Sequence, residues 1–181
     1  MFGRFVMWFV GVAAVLALGS LGGGGTAAGA QPWSEYRPAG GGFRVEMPGT
    51  PTVAAQNIDI AGGRVATQVQ ATLRWSKADY TVAYMDYPPD IGHGVPPERL
   101  LERARDSMAR QGELRSDAAL TVYGLPAREF VVATNDNLTF VMRVVWSRNR
   151  LFRIVVLGFG SDVADRPATR RFLDSFALVK P

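Results

Sequence analysis

Alternation of apolar and polar positions begins at residue 43, where Phe43, Val45 and Met47 fall on one side and Arg44 and Glu46 on the other. That is the period of a half-buried strand, and Pro48-Gly49 stops it. Residues 53–60, a turn at Ala61-Gly62-Gly63 and residues 64–74 read as a hairpin. In its second arm Val65, Thr67, Val69, Ala71 and Leu73 oppose a wetter set, Ala66, Gln68, Gln70 and Thr72. After Ser76-Lys77-Ala78-Asp79, residues 80–87 again carry the aromatic and β-branched types that suit a pleated surface. Pro88-Pro89 ends that strand and a loop follows to Val95. Pro97 then fits a first helical position, where its missing N–H costs nothing. A helix is predicted over 97–111, with Leu100, Leu101, Ala104 and Met108 as its apolar stripe and Gly112 as its stop. Its charges, Glu102, Arg105, Asp106 and Arg110, read as a solvated face.

The second half repeats the β pattern over 118–122, 125–134, 138–147 and 150–159, with a turn at Asn135-Asp136-Asn137 and no internal sequence repeat. With Arg148-Asn149 as a two-residue turn, Phe140 faces Leu157, Met142 faces Val155 and Trp146 faces Leu151 on one side. On the other side Val141 meets Val156, Val145 meets Phe152 and Arg143 meets Ile154. Leaving either apolar face bare would expose several side chains worth about 1.5–3 kcal/mol each on burial, so this hairpin must be covered on both faces. A last helix begins near Asp162 or Asp165, with Pro167 in its first turn and Ala168, Phe172, Leu173 and Phe176 on one stripe; residues 177–179 add a short strand. The expected architecture is α+β: a twisted antiparallel β-sheet of about seven strands packed with helices on its faces. The repeated βαβ units of a Rossmann or TIM fold are missing from the pattern.

Ahead of the alternation lies a different kind of segment. Arg4 is followed by an uncharged apolar run over residues 5–21, a glycine tract, and Ala28-Gly29-Ala30. This is the layout of a signal peptide, with cleavage expected near Ala30. The alternative is an uncleaved anchor, for which 17 residues broken by Gly11, Gly19 and Ser20 are short. The chain therefore divides into a signal peptide (1–30), a Pro- and Gly-punctuated lead-in (31–42) pinned by Trp33 and Tyr36, and one domain (43–181). Beyond Ala30 stand 19 basic and 16 acidic groups, a net charge of +3 that is too mild to imply nucleic acid. The chain has no Cys, so it relies on no disulfide even in an oxidising compartment; the 151 residues after Ala30 suffice for a core burying about 68–70% of the unfolded surface.

Two stretches carry a resemblance. Gly42-Phe43-Arg44-Val45-Glu46-Met47-Pro48-Gly49-Thr50-Pro51 resembles the G-F-x-V-x-x-P-x-x-P start of PsbP-like and DcrB-like secreted domains. Arg171-Phe172-Leu173-Asp174-Ser175-Phe176 is similar to their closing helix, and the order of elements agrees over residues 33 to 180. The resemblance implies an antiparallel sheet between helices (a PsbP-like α/β/α sandwich) and a family whose members are often noncatalytic accessory or assembly proteins. It transfers fold rather than chemistry, because the matching residues are core positions.

Candidate chemistry is sparse. His93 is the single histidine, and with Asp86 and Asp90 it forms two carboxylates and an imidazole within eight residues, a conceivable divalent-cation or acid–base site. Ordinary turn chemistry beside Pro88-Pro89 explains the same residues. No G-x-S-x-G elbow and no phosphate-cradling glycine motif occurs. Arg143 and Arg153 fall inside the apolar hairpin on opposite faces; either each meets a carboxylate such as Glu129 or Asp174, or one lines an opening for an anionic or amphipathic ligand. Trp75, Tyr80, Tyr84 and Tyr87 form either an aromatic wall for a small molecule or cross-strand core. The functional expectation is an exported noncatalytic accessory or binding protein of the bacterial periplasm or cell envelope, without cofactor. Its partner is expected to be a protein or envelope component, bound through an exposed sheet face or the loop 88–97, and membrane contact is limited to the signal segment. The alternatives are a carrier using space between the first helix and the sheet, and a hydrolase or metal site at Asp86, Asp90 and His93.

Overall fold

A computed structural model describes residues 33–60, 64–89 and 95–179 of the chain. The signal segment expected at 1–30 lies outside them, as do Asp90 and His93. Alternating residues build strands β1 (Ser34–Tyr36), β2 (Phe43–Met47), β3 (Thr52–Ile60), β4 (Arg64–Trp75) and β5 (Ala78–Asp86). Helix α1 (Pro97–Ala109) follows, then β6 (Glu113–Val122), β7 (Leu125–Ala133), β8 (Leu138–Ser147) and β9 (Arg150–Phe159). A 3-10 turn (Ser161–Asp165), helix α2 (Pro167–Asp174) and β10 (Ala177–Leu178) complete the order.

Seven strands form one antiparallel sheet in the order β3-β4-β5-β9-β8-β7-β6, and β1-β2-β10 form a small second sheet. The β8–β9 hairpin sits at the centre in the register read from the sequence, with Phe140 opposite Leu157, Met142 opposite Val155 and Arg143 opposite Ile154. Both of its faces are covered. On one, the small sheet and α2 press Phe43, Val45, Phe172 and Phe176 onto Tyr80, Val82, Val141, Phe152 and Ile154. On the other, the α1 stripe Leu101, Ala104 and Met108 packs on Phe130, Val132, Met142, Val144 and Trp146. The rings interlock: Tyr80 meets Phe172 edge-on at 5.4 Å, and Phe43 stacks on Phe176 at 5.7 Å.

Several boundaries differ from expectation for identifiable reasons. Residues 34–36 of the lead-in form β1, because Trp33 packs edge-on against Trp75 and Tyr80 and Tyr36 against Phe43, which holds the backbone beside β2. Ser76 and Lys77 both adopt positive φ (48° and 64°), so a tight two-residue turn replaces the anticipated loop. β6 begins five residues earlier than the pattern suggested. A bulge between Leu114 and Ser116 breaks the period-two alternation there, hiding the strand from a periodicity reading. Gly112 lets α1 pass directly against the end of β7, since a Cβ at that position would lie 2.2 Å from the Ala133 carbonyl oxygen.

Candidate functional site

Arg143 donates from Nε to Glu129 Oε2 at 2.8 Å, from Nη2 to Asp174 Oδ1 at 2.7 Å, and from Nη1 to the Leu173 carbonyl at 2.8 Å. Arg170 of α2 reaches the other Glu129 oxygen at 2.7 Å. Both carboxylates named from the sequence are therefore its partners, and the group ties β7, β8 and α2 together. A guanidinium with its donors on two carboxylates and a helix-end carbonyl is a structural clamp.

Arg153 lies on the opposite face, as the register required, and donates from Nη2 to Gln68 Oε1 across β5. Burial pulls its pKa below the ordinary arginine value, opposed by the Tyr87 hydroxyl. Tyr87 packs against Trp146 at 5.6 Å, and burial raises its own pKa. On the same face Asp117 receives Arg128 at 2.5 and 2.7 Å and Arg105 at 2.6 Å. The Arg128 hydrogen bonds, then the charges of Arg128 and Arg105, hold the Asp117 carboxyl below the usual range against the opposing effect of burial. Arg105 is thus a tie between α1 and the sheet rather than a member of a solvated helix face. Sequence reasoning missed it because its partner lies in the stretch of β6 that the bulge concealed.

The aromatic residues do not share one wall. Trp75, Tyr80 and Tyr84 lie on the face covered by the small sheet, where Trp75 meets Tyr80 at 6.1 Å and Tyr84 meets Phe43 at 6.2 Å. Tyr87 belongs to the α1 face. Asp86 is engaged by Arg150 through two hydrogen bonds of 2.5 and 2.7 Å, and the Arg150 guanidinium lies 4.3 Å from the Tyr84 ring centroid. Among the described residues no group of three or more His, Asp or Glu side chains is placed to hold a metal ion. α1 packs onto the sheet through Leu101, Ala104 and Met108. A cavity of about 450 Å³ opens along the outer side of α1, lined by Val95, Pro96, Arg99, Glu102, Arg103 and Asp106.

Among the described residues, one end of the large sheet is left presented. β3 is its edge, paired with β4 in unbroken register from Thr52–Thr72 to Ile60–Arg64. Residues 52–57 are exposed on both faces of the strand. Val53 (53% exposed) and Val65 (50%) share one side with Ala55, Asn57 and Thr67. β5 pairs with β4 only from Thr67 onward, so Val65 lies beyond its end. Edge strands are normally blunted by charge, proline or a bulge. The opposite edge, β6, has all but the proline: Glu113, Arg115, Asp117 and its bulge. β3 carries a single charge, Asp59, and pairs without a bulge.

No family model matches the chain, and no curated protein matches it. Among solved structures it is similar to cyanobacterial PsbP (CyanoP) from Synechocystis sp. PCC 6803. That likeness has 17% identity and a TM-score of 0.48, and covers 89% of this chain and 98% of that one. It is also similar to PA94 from Pseudomonas aeruginosa, a protein of unknown function, at 11% identity and a TM-score of 0.42, covering 82% of this chain and 98% of that one. The likeness lies in the arrangement of strands and helices.

The β3 edge was signalled only faintly in the sequence. Residues 52–60 hold one charge among nine, but a strand's place at the rim depends on pairings made by distant segments.

Proposed function

We propose that the chain is an exported, noncatalytic binding protein of the bacterial periplasm or cell envelope, which takes a protein or envelope component on the β3–β4 end of its sheet. The observation that carries this reading is the undefended β3 edge with exposed Val53 and Val65 beside it. An exposed strand edge offers unpaired backbone donors and acceptors to an extended segment, and adjacent apolar side chains add selectivity. The arginine–carboxylate groups support the same reading, because Arg143, Glu129, Asp117 and Arg128 are spent on joining elements. Export is supported by the Arg4, apolar-run and Ala28-Gly29-Ala30 layout.

A photo-crosslinking side chain placed at Val65 in the native envelope tests the reading, with the same group at Thr121 on β6 as control. The expected result is a discrete product from position 65 alone, abolished by Val53→Glu, on a chain whose N-terminus is Gln31. Equal labelling from both positions, or none from either, contradicts it.

A further inference from the structure

We infer that the β3 edge pairs antiparallel with β3 of a second copy of this chain, on a two-fold axis at Gln56; the inference rests on the β3–β4 end being the binding surface. In an antiparallel ladder the residues whose backbone groups point outward along one edge all share one parity. A strand pairing with itself is therefore centred on a residue. Centring on Gln56 is the register that engages all nine residues of β3, Thr52–Ile60. It sets Gln56 opposite Gln56, Ala55 opposite Asn57, Ala54 opposite Ile58, Val53 opposite Asp59 and Thr52 opposite Ile60.

No like charges meet in this register. The single charge of each strand, Asp59, faces the exposed Val53 of the other copy, and the two Asp59 residues stand about 20 Å apart along the ladder. The small residues Ala54 and Ala55 near the centre leave room for close approach. The axis runs perpendicular to the sheet, so the exposed Val53 and Val65 of both copies come to lie on the same face of a sheet twice as wide. An isologous contact of this kind closes on itself and does not propagate into a fibre. The β6 edge offers no equivalent, since its bulge and its charges interrupt a second ladder.

Because the chain has no cysteine, Gln56→Cys introduces a unique thiol. Directly opposed residues in an antiparallel pair have Cα atoms about 4.5–5.5 Å apart, within reach of a disulfide. The test uses the protein as purified from the expressing cell, whether processed or not. Sedimentation should show the average mass rising from one copy toward two with concentration. Under mild oxidation Gln56→Cys should crosslink at least about ten-fold faster than the exposed β6 control Thr121→Cys, the difference between a held and a diffusing thiol pair. Gln56→Lys and Gln56→Glu should each weaken self-association by up to about five-fold, and mixing the two should restore it. Gln56 is exposed, and an unchanged melting temperature in each variant confirms that the monomer is intact. A single-copy mass at every concentration, with Gln56→Cys no faster than Thr121→Cys, overturns the inference. If that result coincides with a surviving Val65 crosslink, the binding reading stands and only the identity of the occupant falls.

Discussion

Arg143 lies directly opposite Glu129 across the β7–β8 ladder, and its Nε donates to Glu129 Oε2 at 2.8 Å. The same carboxylate takes Arg170 of α2, so a single acidic side chain joins two strands and a helix. Glu129→Gln should lower stability by about 1–3 kcal/mol, since two half-buried guanidinium groups lose their charged partner. Asp174, which meets Arg143 from the exposed rim, should matter far less, with Asp174→Asn changing stability by no more than about 0.5 kcal/mol. Urea unfolding of both variants separates the two contributions.

Gly112 and Gly124 should fail in different ways. Gly112→Ala drives a Cβ into the Ala133 carbonyl and should cost about 1–3 kcal/mol as the α1–β7 contact is forced apart. Gly124 has open space around it but φ of 77°, so Gly124→Ala carries backbone strain of about 1–2 kcal/mol only. Thermal unfolding, with amide shifts confined to the 110–114 and 131–135 segments for Gly112→Ala, distinguishes them.

Asp117 should make the fold acid-sensitive. Its carboxyl is held below the ordinary value by Arg128 and Arg105. A depressed folded pKa means that its contribution is present above the unfolded value, about 3.9, and is lost as pH falls through the folded one. Asp117→Asn removes that contribution, so its stability should fall less steeply than the parent's as pH drops below about 4. Chemical denaturation at stepped pH checks the slope.

The aromatic layer under α2 should be the costliest place to cut. Phe172 is fully buried and meets Tyr80 edge-on, so Phe172→Ala should destabilise by about 3–5 kcal/mol. Near-ultraviolet circular dichroism should lose intensity at the same time, because Tyr80 loses its ring partner.

The parts of this architecture that were legible in the sequence are those governed by local period. β8 and β9 match residue for residue, and their register followed from one two-residue turn and the demand that two apolar faces both be covered. The Arg143 partners were legible for the same reason, because a cation placed on a known face needs a nearby carboxylate. The small sheet was not, since β1, β2 and β10 bring residues from opposite ends of the chain together through pairings of three and two residues. Neither was the Arg105–Asp117–Arg128 group, which depends on a bulge that breaks the alternation. The Arg153–Gln68 contact joins residues 85 apart in sequence across an intervening strand, a distance over which no periodic signal reaches.

The account depends on a sheet sealed at its centre and open at its β3 end, and amide hydrogen exchange on a dilute sample reads both at once. Amides over 139–157 should be among the slowest in the chain, exchanging only through global unfolding, while every second amide of β3 exchanges quickly because it points outward from the edge. Rapid exchange along 139–157, or uniform protection of β3 at concentrations where the chain is a single copy, would contradict it.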